Sequence, residues 1–157
     1  ATSVFRQIDW ETIFFIGGFF IILGGLEETG LLASLSQEVL RLASGSTLKA
    51  TLLTLWSSGL LSAIVSNIAV ALTYTPIIST MPIFNSPALW SALILGTNLG
   101  GAATPISGAV CVLALGALKE EGANLSFADF SKVGILTTLI QMGFSTVYLI
   151  AKFGLWG

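Results

Sequence analysis

Apolar positions in this chain gather into long runs, and the polar positions between them fall into short, sharply placed clusters. From Ala50 through Leu118 there is no Asp, Glu, Lys or Arg, although Gly, Ser, Thr and Asn recur throughout. Soluble folds break their apolar sequence with surface charge far more often, so lipid is the expected solvent and an all-α, polytopic membrane protein the expected class.

The first run predicts a span over residues 10–32. Thr12 to Leu26 is uncharged but covers only about 22 Å as a helix, short of the roughly 30 Å hydrocarbon core, so the span is read on past the glutamates to Leu32. Asp9, Trp10 and Glu11 mark one interface, where an indole is at ease and the acids stay wet. Glu27 and Glu28 invite a proton- or cation-carrying role, but the stronger reading is an interfacial helix end with Gly30 as its C-cap. Residues 33–43 predict a short interfacial helix in which Glu38 and Arg41 pair at i, i+3.

The second run, residues 50–81, would be about 48 Å long as one helix yet is too short for two full spans. A re-entrant hairpin fits that length. Its break is placed at Ser66-Asn67, with a new helix from Ile68 onward capped by either side chain. Ser86-Pro87 then gives an N-cap followed by Pro at the first helical position. The helix over residues 87–118 is interrupted by Gly96 to Pro105, and Thr104-Pro105 repeats the same start signal, so two half-helices joined by unwound chain are expected. After a solvated loop at Lys119 to Asn124, Ser126 caps a last span over 127–152, with Asp129 against the helix dipole. Gly134, Thr137, Thr138, Gln141, Gly143 and Ser145 on that span read as helix-packing positions.

Composition narrows the chemistry. Of 157 residues, 54% are hydrophobic and 9% charged, and mean hydropathy is +0.93. The net charge of −2, with basic residues scattered singly, leaves no phosphate-tracking patch, so nucleic acid is not an expected partner. With no His and Cys111 as the single thiol, the usual zinc and iron ligand sets are missing, and Ser62, Ser66 or Thr104 would lack a recognisable base. An enzyme is therefore the last of the readings. The chain opens Ala1-Thr2-Ser3 without Met or a leader pattern and is read as part of a longer protein.

Nonhelical backbone at membrane depth leaves amides and carbonyls that cost several kcal/mol each unless protein, ions or water satisfy them. Two breaks in one charge-free region therefore predict a shared polar site. Carbonyls at a half-helix end suit a dehydrated cation, and the helix starts at Ile68 and Pro105 offer amides to an anion. Candidate ligands are Ser62, Ser66, Asn67, Thr97, Asn98, Gly100, Gly101, Thr104, Pro105 and Ser107, with sodium placed near Ser66 and Asn67. Taken singly, each also reads as a small residue packing helices closely; the conjunction favours the site.

The order Asp9-Trp10-Glu11-Thr12, Gly24 to Gly30, Ser66-Asn67 and Gly96 to Pro105 resembles the second repeat of the ion transporter superfamily, over roughly Ile8 to Phe153. That superfamily includes arsenite permeases, pink-eyed-dilution-like proteins, citrate and dicarboxylate carriers and sodium/proton antiporters. The resemblance implies one half of an inverted-repeat transporter, a homodimer, elevator-type movement of the site, and Gly157 on the outer side of the cell (inner) membrane. It also implies that an amino-terminal repeat of the same protein supplies the other half of the site. In the carboxylate carriers the hairpin tip is Ser-Asn-Thr; here Ser66 and Asn67 match and Ile68 stands in place of Thr. Antiporter-like relatives can carry an acid beside the Asn, where this chain has Ser66. The expected function is secondary transport of a small inorganic or carboxylate anion, with sodium as the possible coupling ion. A sodium/proton antiporter, an ion channel and an accessory membrane subunit are the alternatives.

Overall fold

A computed structural model describes residues 45–80, 86–105, 107 and 126–155 continuously. It also describes residues 14, 17, 18, 21, 22, 24, 25, 28–30, 34, 37, 38, 41–43, 111 and 118. All regular structure among them is helical, in four complete helices: α1 Thr47–Ser62, α2 Asn67–Ser79, α3 Pro87–Gly100 and α4 Phe127–Phe153.

Each helix begins where the local chemistry allows. The Ser46 hydroxyl accepts from the Lys49 amide to start α1, and Ser126 with Asp129 forms a reciprocal cap on α4. Ser86 takes the N-cap position before Pro87, as the Ser-Pro signal predicts, but its hydroxyl makes no capping bond and is buried without a partner among the described residues. The start of α2 departs from expectation in the same way. Helix geometry begins at Asn67 itself, and neither the Ser66 nor the Asn67 side chain caps it.

The break in the third run is shorter than its composition predicts. Gly96 to Gly100 stay helical, and the turn begins only at Gly101. The reason is packing. Gly96 lies so close to α1 that a Cβ would overlap the Ser58 hydroxyl, and a Cβ on Gly100 would overlap the Gly59 carbonyl oxygen. These glycines weaken α3 slightly as a free helix and strengthen it as a partner. Of the predicted second half-helix, Cys111 and Leu118 are helical; most of the rest lies outside the described residues, as do Asp9, Trp10, Glu11 and Glu27. Gly30 has φ 72, the left-handed geometry of a helix C-cap, and Arg41 pairs with Glu38 at 2.8 Å.

Buried residues define the facing stripes. On α1 they are Ala50, Thr51, Thr54, Leu55, Ser58, Gly59 and Ser62; on α3, Ala88, Leu89, Ala92, Leu93, Gly96, Thr97 and Gly100; on α4, Ser131, Gly134, Thr138, Met142, Ser145 and Leu149. All repeat every three or four residues, the spacing of one helix face. Ala50 clusters with Leu89 and Leu93, while Ser62 meets Thr97, so α1 and α3 run parallel. Ile77 and Ile78 lie in the Ala50 cluster and the Tyr74 hydroxyl donates to Ser57 Oγ at 2.8 Å, which makes α2 antiparallel to α1. α4 is antiparallel to both parallel helices: Thr138 reaches the Leu99 carbonyl and Trp56 Nε1 donates to Thr146 Oγ1 at 3.2 Å.

α4 is the one described helix long and apolar enough to cross a membrane. Its charge-free stretch between Lys132 and Lys152 covers about 29 Å, the thickness of the hydrocarbon core. Leu136, Phe144 and Val147 along its outer side are 60% to 74% exposed. α1, α2 and α3 hold 16, 13 and 14 residues, about 20–24 Å each, and are too short to cross alone. Counted from the Trp56–Thr146 bond, Lys49 is level with Phe153, so Lys49 and Lys152 share one end of the bundle.

Candidate functional site

The parallel course of α1 and α3 brings two helix C-termini together, and the hairpin turn adds the N-terminus of α2. Ser62, Asn67, Thr97, Gly100, Gly101, Thr104 and Ser107 meet at this junction. A Cβ on Gly101 would lie 3.1 Å from the Thr97 carbonyl, 3.3 Å from Asn67 Cβ and 3.5 Å from Ser62 Oγ, so this position sits where the two polar turns touch.

Hydroxyls from one broken element satisfy carbonyls of the other. Ser62 Oγ, fully buried, donates to the Thr97 carbonyl at 2.7 Å, and Thr104 Oγ1 donates to the Ala63 carbonyl at 2.7 Å. Ser107 Oγ lies 3.0 Å from the Gly101 carbonyl, and Thr138 of α4 donates to the Leu99 carbonyl at 3.1 Å. Ala63 and Gly101 lie just past the ends of their helices, where no backbone amide among the described residues reaches their carbonyls, while the Leu99 carbonyl also accepts from the Ala102 amide at 3.1 Å. Each such bond is worth about 1 kcal/mol net, but leaving the buried acceptor unmet costs about 1–3 kcal/mol. These bonds let the chain be nonhelical here at little cost.

The proton count has a chemical consequence. A serine or threonine hydroxyl has one proton, and Ser62 and Thr104 each donate theirs to a carbonyl oxygen 2.7 Å from the hydroxyl oxygen, which leaves their oxygens as acceptors toward anything else. Donors come from the other side of the junction. The first intrahelical bond of α2 runs from the Val70 amide to the Ser66 carbonyl, so the amides of Asn67, Ile68 and Ala69 precede the ladder at the positive end of the helix. The Asn67 side chain is half-buried and makes no hydrogen bond among the described residues. Ser66 is likewise half-buried and without a side-chain cap bond.

The other sequence candidates are placed less directly. Thr97 is buried in the α1 crossing with its hydroxyl on the Leu93 carbonyl at 2.8 Å, so its carbonyl, not its hydroxyl, takes part in the junction. Asn98 is exposed on the outer side of α3, its amide donating to the Ile94 carbonyl at 2.8 Å. Pro105 is buried in the turn. Two contributors escape the sequence reading: the Ala63 carbonyl, which a side-chain inventory cannot contain, and Gly59, whose i+3 spacing to the small residue Ser62 was its one visible sign.

Four packed helices with exposed apolar side chains, meeting at two adjacent turns around neutral polar groups, fit a helical integral membrane protein. Residues 1–96 match the citrate transporter family, and the chain belongs to it. It is 34% identical, over 94% of its length, to a 46 kDa membrane protein of Mycobacterium leprae, of which it covers 35%. An uncharacterised transporter of Mycobacterium tuberculosis is 30% identical, again with 94% of this chain and 35% of that protein aligned. The mouse P protein is 28% identical over 94% of this chain and 19% of its own length. The chain thus spans about a third of the bacterial relatives it matches. No solved structure matches it.

Proposed function

We propose that this chain forms one half of a secondary transporter for a small inorganic or carboxylate anion, with sodium as coupling ion, and that the α1–α2 turn and the break after α3 carry its half of the site. The observation that carries this reading is the opposed chemistry of the junction. Unladdered amides and the unpartnered Asn67 amide offer donors to an anion, while Ser62, Thr104 and the nearby carbonyls offer the oxygen lone pairs that a hard cation takes.

In this reading α1 and α2 form a re-entrant hairpin. Their lengths support it, as does the return of α2 to the level where α1 began. A preceding repeat of the same protein supplies the facing polar groups, and two copies form the assembly. The test is uptake by the full-length protein in vesicles, using labelled phosphate, citrate, succinate and arsenite with and without a sodium gradient. Saturable uptake of one anion, raised by inward sodium, is expected. Current that rises linearly with driving force would favour a channel, and exchange of sodium for protons with no anion would favour the antiporter.

A further inference from the structure

A second feature lies away from the junction, on the outer side of α1. There an open groove of about 520 Å³ runs from Lys49 past Leu52, Leu53 and Trp56 to Leu60, with Leu42 along its rim. Its walls are almost wholly apolar, and the polar side chain within it, Ser57, is occupied: its hydroxyl bonds the Leu53 carbonyl at 2.5 Å and accepts from Tyr74. The one charge in the lining is the ammonium of Lys49, which has no ion-pair partner among the described residues.

Depth and length fit this groove to a lipid. Lys49 is level with Phe153, next to Lys152, whose ammonium bonds the Tyr148 hydroxyl at 2.8 Å and lies 5.2 Å from the Tyr148 ring centroid. Lysine and tyrosine at a helix end with apolar residues below them mark the headgroup level of a bilayer. From Lys49 to Leu60 the helix descends about 16 Å, close to the roughly 15 Å hydrocarbon depth of one leaflet. A cation at headgroup level above an apolar trough one leaflet deep is complementary to an anionic head carrying an acyl chain.

We infer that this groove binds an anionic phospholipid, with Lys49 holding the headgroup and one acyl chain lying along Leu52, Leu53, Trp56 and Leu60. Trp56 is in the groove wall and also bonds Thr146 of α4, so the lipid seals the outer side of the α1–α4 contact.

Trp56 also reports on the site. In the full-length protein with its other tryptophans changed to Phe, Trp56 fluorescence is read in vesicles containing phosphatidylglycerol or phosphatidylcholine with dibrominated acyl chains. Half-maximal quenching is expected at about a fivefold lower fraction of the brominated phosphatidylglycerol, the preference one surface lysine provides. Lys49→Ala should equalise the two lipids, and Lys49→Arg should keep the preference. In the protein with all its tryptophans, phosphatidylglycerol should raise the melting temperature above its value in phosphatidylcholine, and Lys49→Ala should remove that difference. Equal quenching in the parent would overturn the inference, as would a preference that survives Lys49→Ala. Absence of quenching by either lipid would also overturn it, because another segment of the protein would then fill the groove.

Discussion

Asn67→Ala is expected to abolish transport in the full-length protein while leaving it folded. The Asn67 side chain sits at the first residue of α2, half-buried, and forms no bond that holds the hairpin to its neighbours. Its removal leaves intact the bonds that tie the broken elements together, Ser62 to Thr97 and Thr104 to Ala63. Melting temperature should therefore change little. A hydrogen bond to a charged ligand is worth about 1.5–3 kcal/mol, so binding should weaken at least tenfold from that term alone. Loss of the group that closes the site should reduce the transport rate further. Parallel assays of thermal unfolding, ligand binding and uptake separate the two effects. Uptake at the parent rate would show that the amide is not a ligand.

Gly100→Leu is expected to do the opposite, removing stability and function together. A Cβ at Gly100 would overlap the backbone carbonyl of Gly59, a group that cannot rotate away as a side-chain tip could. α1 and α3 would have to separate, pulling Ser62 away from Thr97 and opening the junction. Overpacking a well-filled core costs about 1–3 kcal/mol, and contact with backbone puts this case at or above the upper end. Gly143→Ala is the matched control, because nothing lies within 4 Å of the position its Cβ would take. That variant should hold or gain up to about 1 kcal/mol from helix propensity. Melting curves and yields of folded protein in detergent measure both. A Gly100→Leu protein as stable as its parent would contradict the close crossing of α1 and α3.

Much of this architecture was legible in the sequence because lipid makes punctuation expensive. A charge-free region tolerates a break only with reason, so the helix start beside Ser66 and the signal at Ser126 could be found from residue type, although the turn itself runs over residues 63–66 and Asn67 is already helical. The limits of the second break were misplaced by five residues, since glycine serves two purposes that look identical in one dimension. Gly96 and Gly100 permit close approach and remain helical, whereas Gly101 opens the turn. Only the position of α1, far away in sequence, distinguishes them.

The candidate site was legible as a set of residues but not as a set of bonds. Sequence identified Ser62, Thr97 and Thr104, yet it could not show that the Thr97 hydroxyl turns back to Leu93 while its carbonyl takes the proton of Ser62. Nor could it show that carbonyls expected to wait for a cation are partly satisfied by hydroxyls of the facing element. Those outcomes depend on the parallel course of α1 and α3, which arises from matching small-residue stripes and not from any local signal.

The proposed position of the transported ion is the meeting of hairpin turn and helix break. Its most direct measurement is the rate at which a small water-soluble thiol reagent modifies Ser66→Cys in full-length protein, with Cys111→Ser as background and with each candidate anion and sodium present or absent. Ser66 is half-buried and its side chain makes no capping bond, so the substitution leaves the junction intact. Modification is expected that the transported anion or sodium slows severalfold, while Leu136→Cys on the outer side of α4 reacts at a rate neither ion changes. A Ser66→Cys protein that is inert in every condition, or reacts at one rate whatever ion is present, would contradict that position.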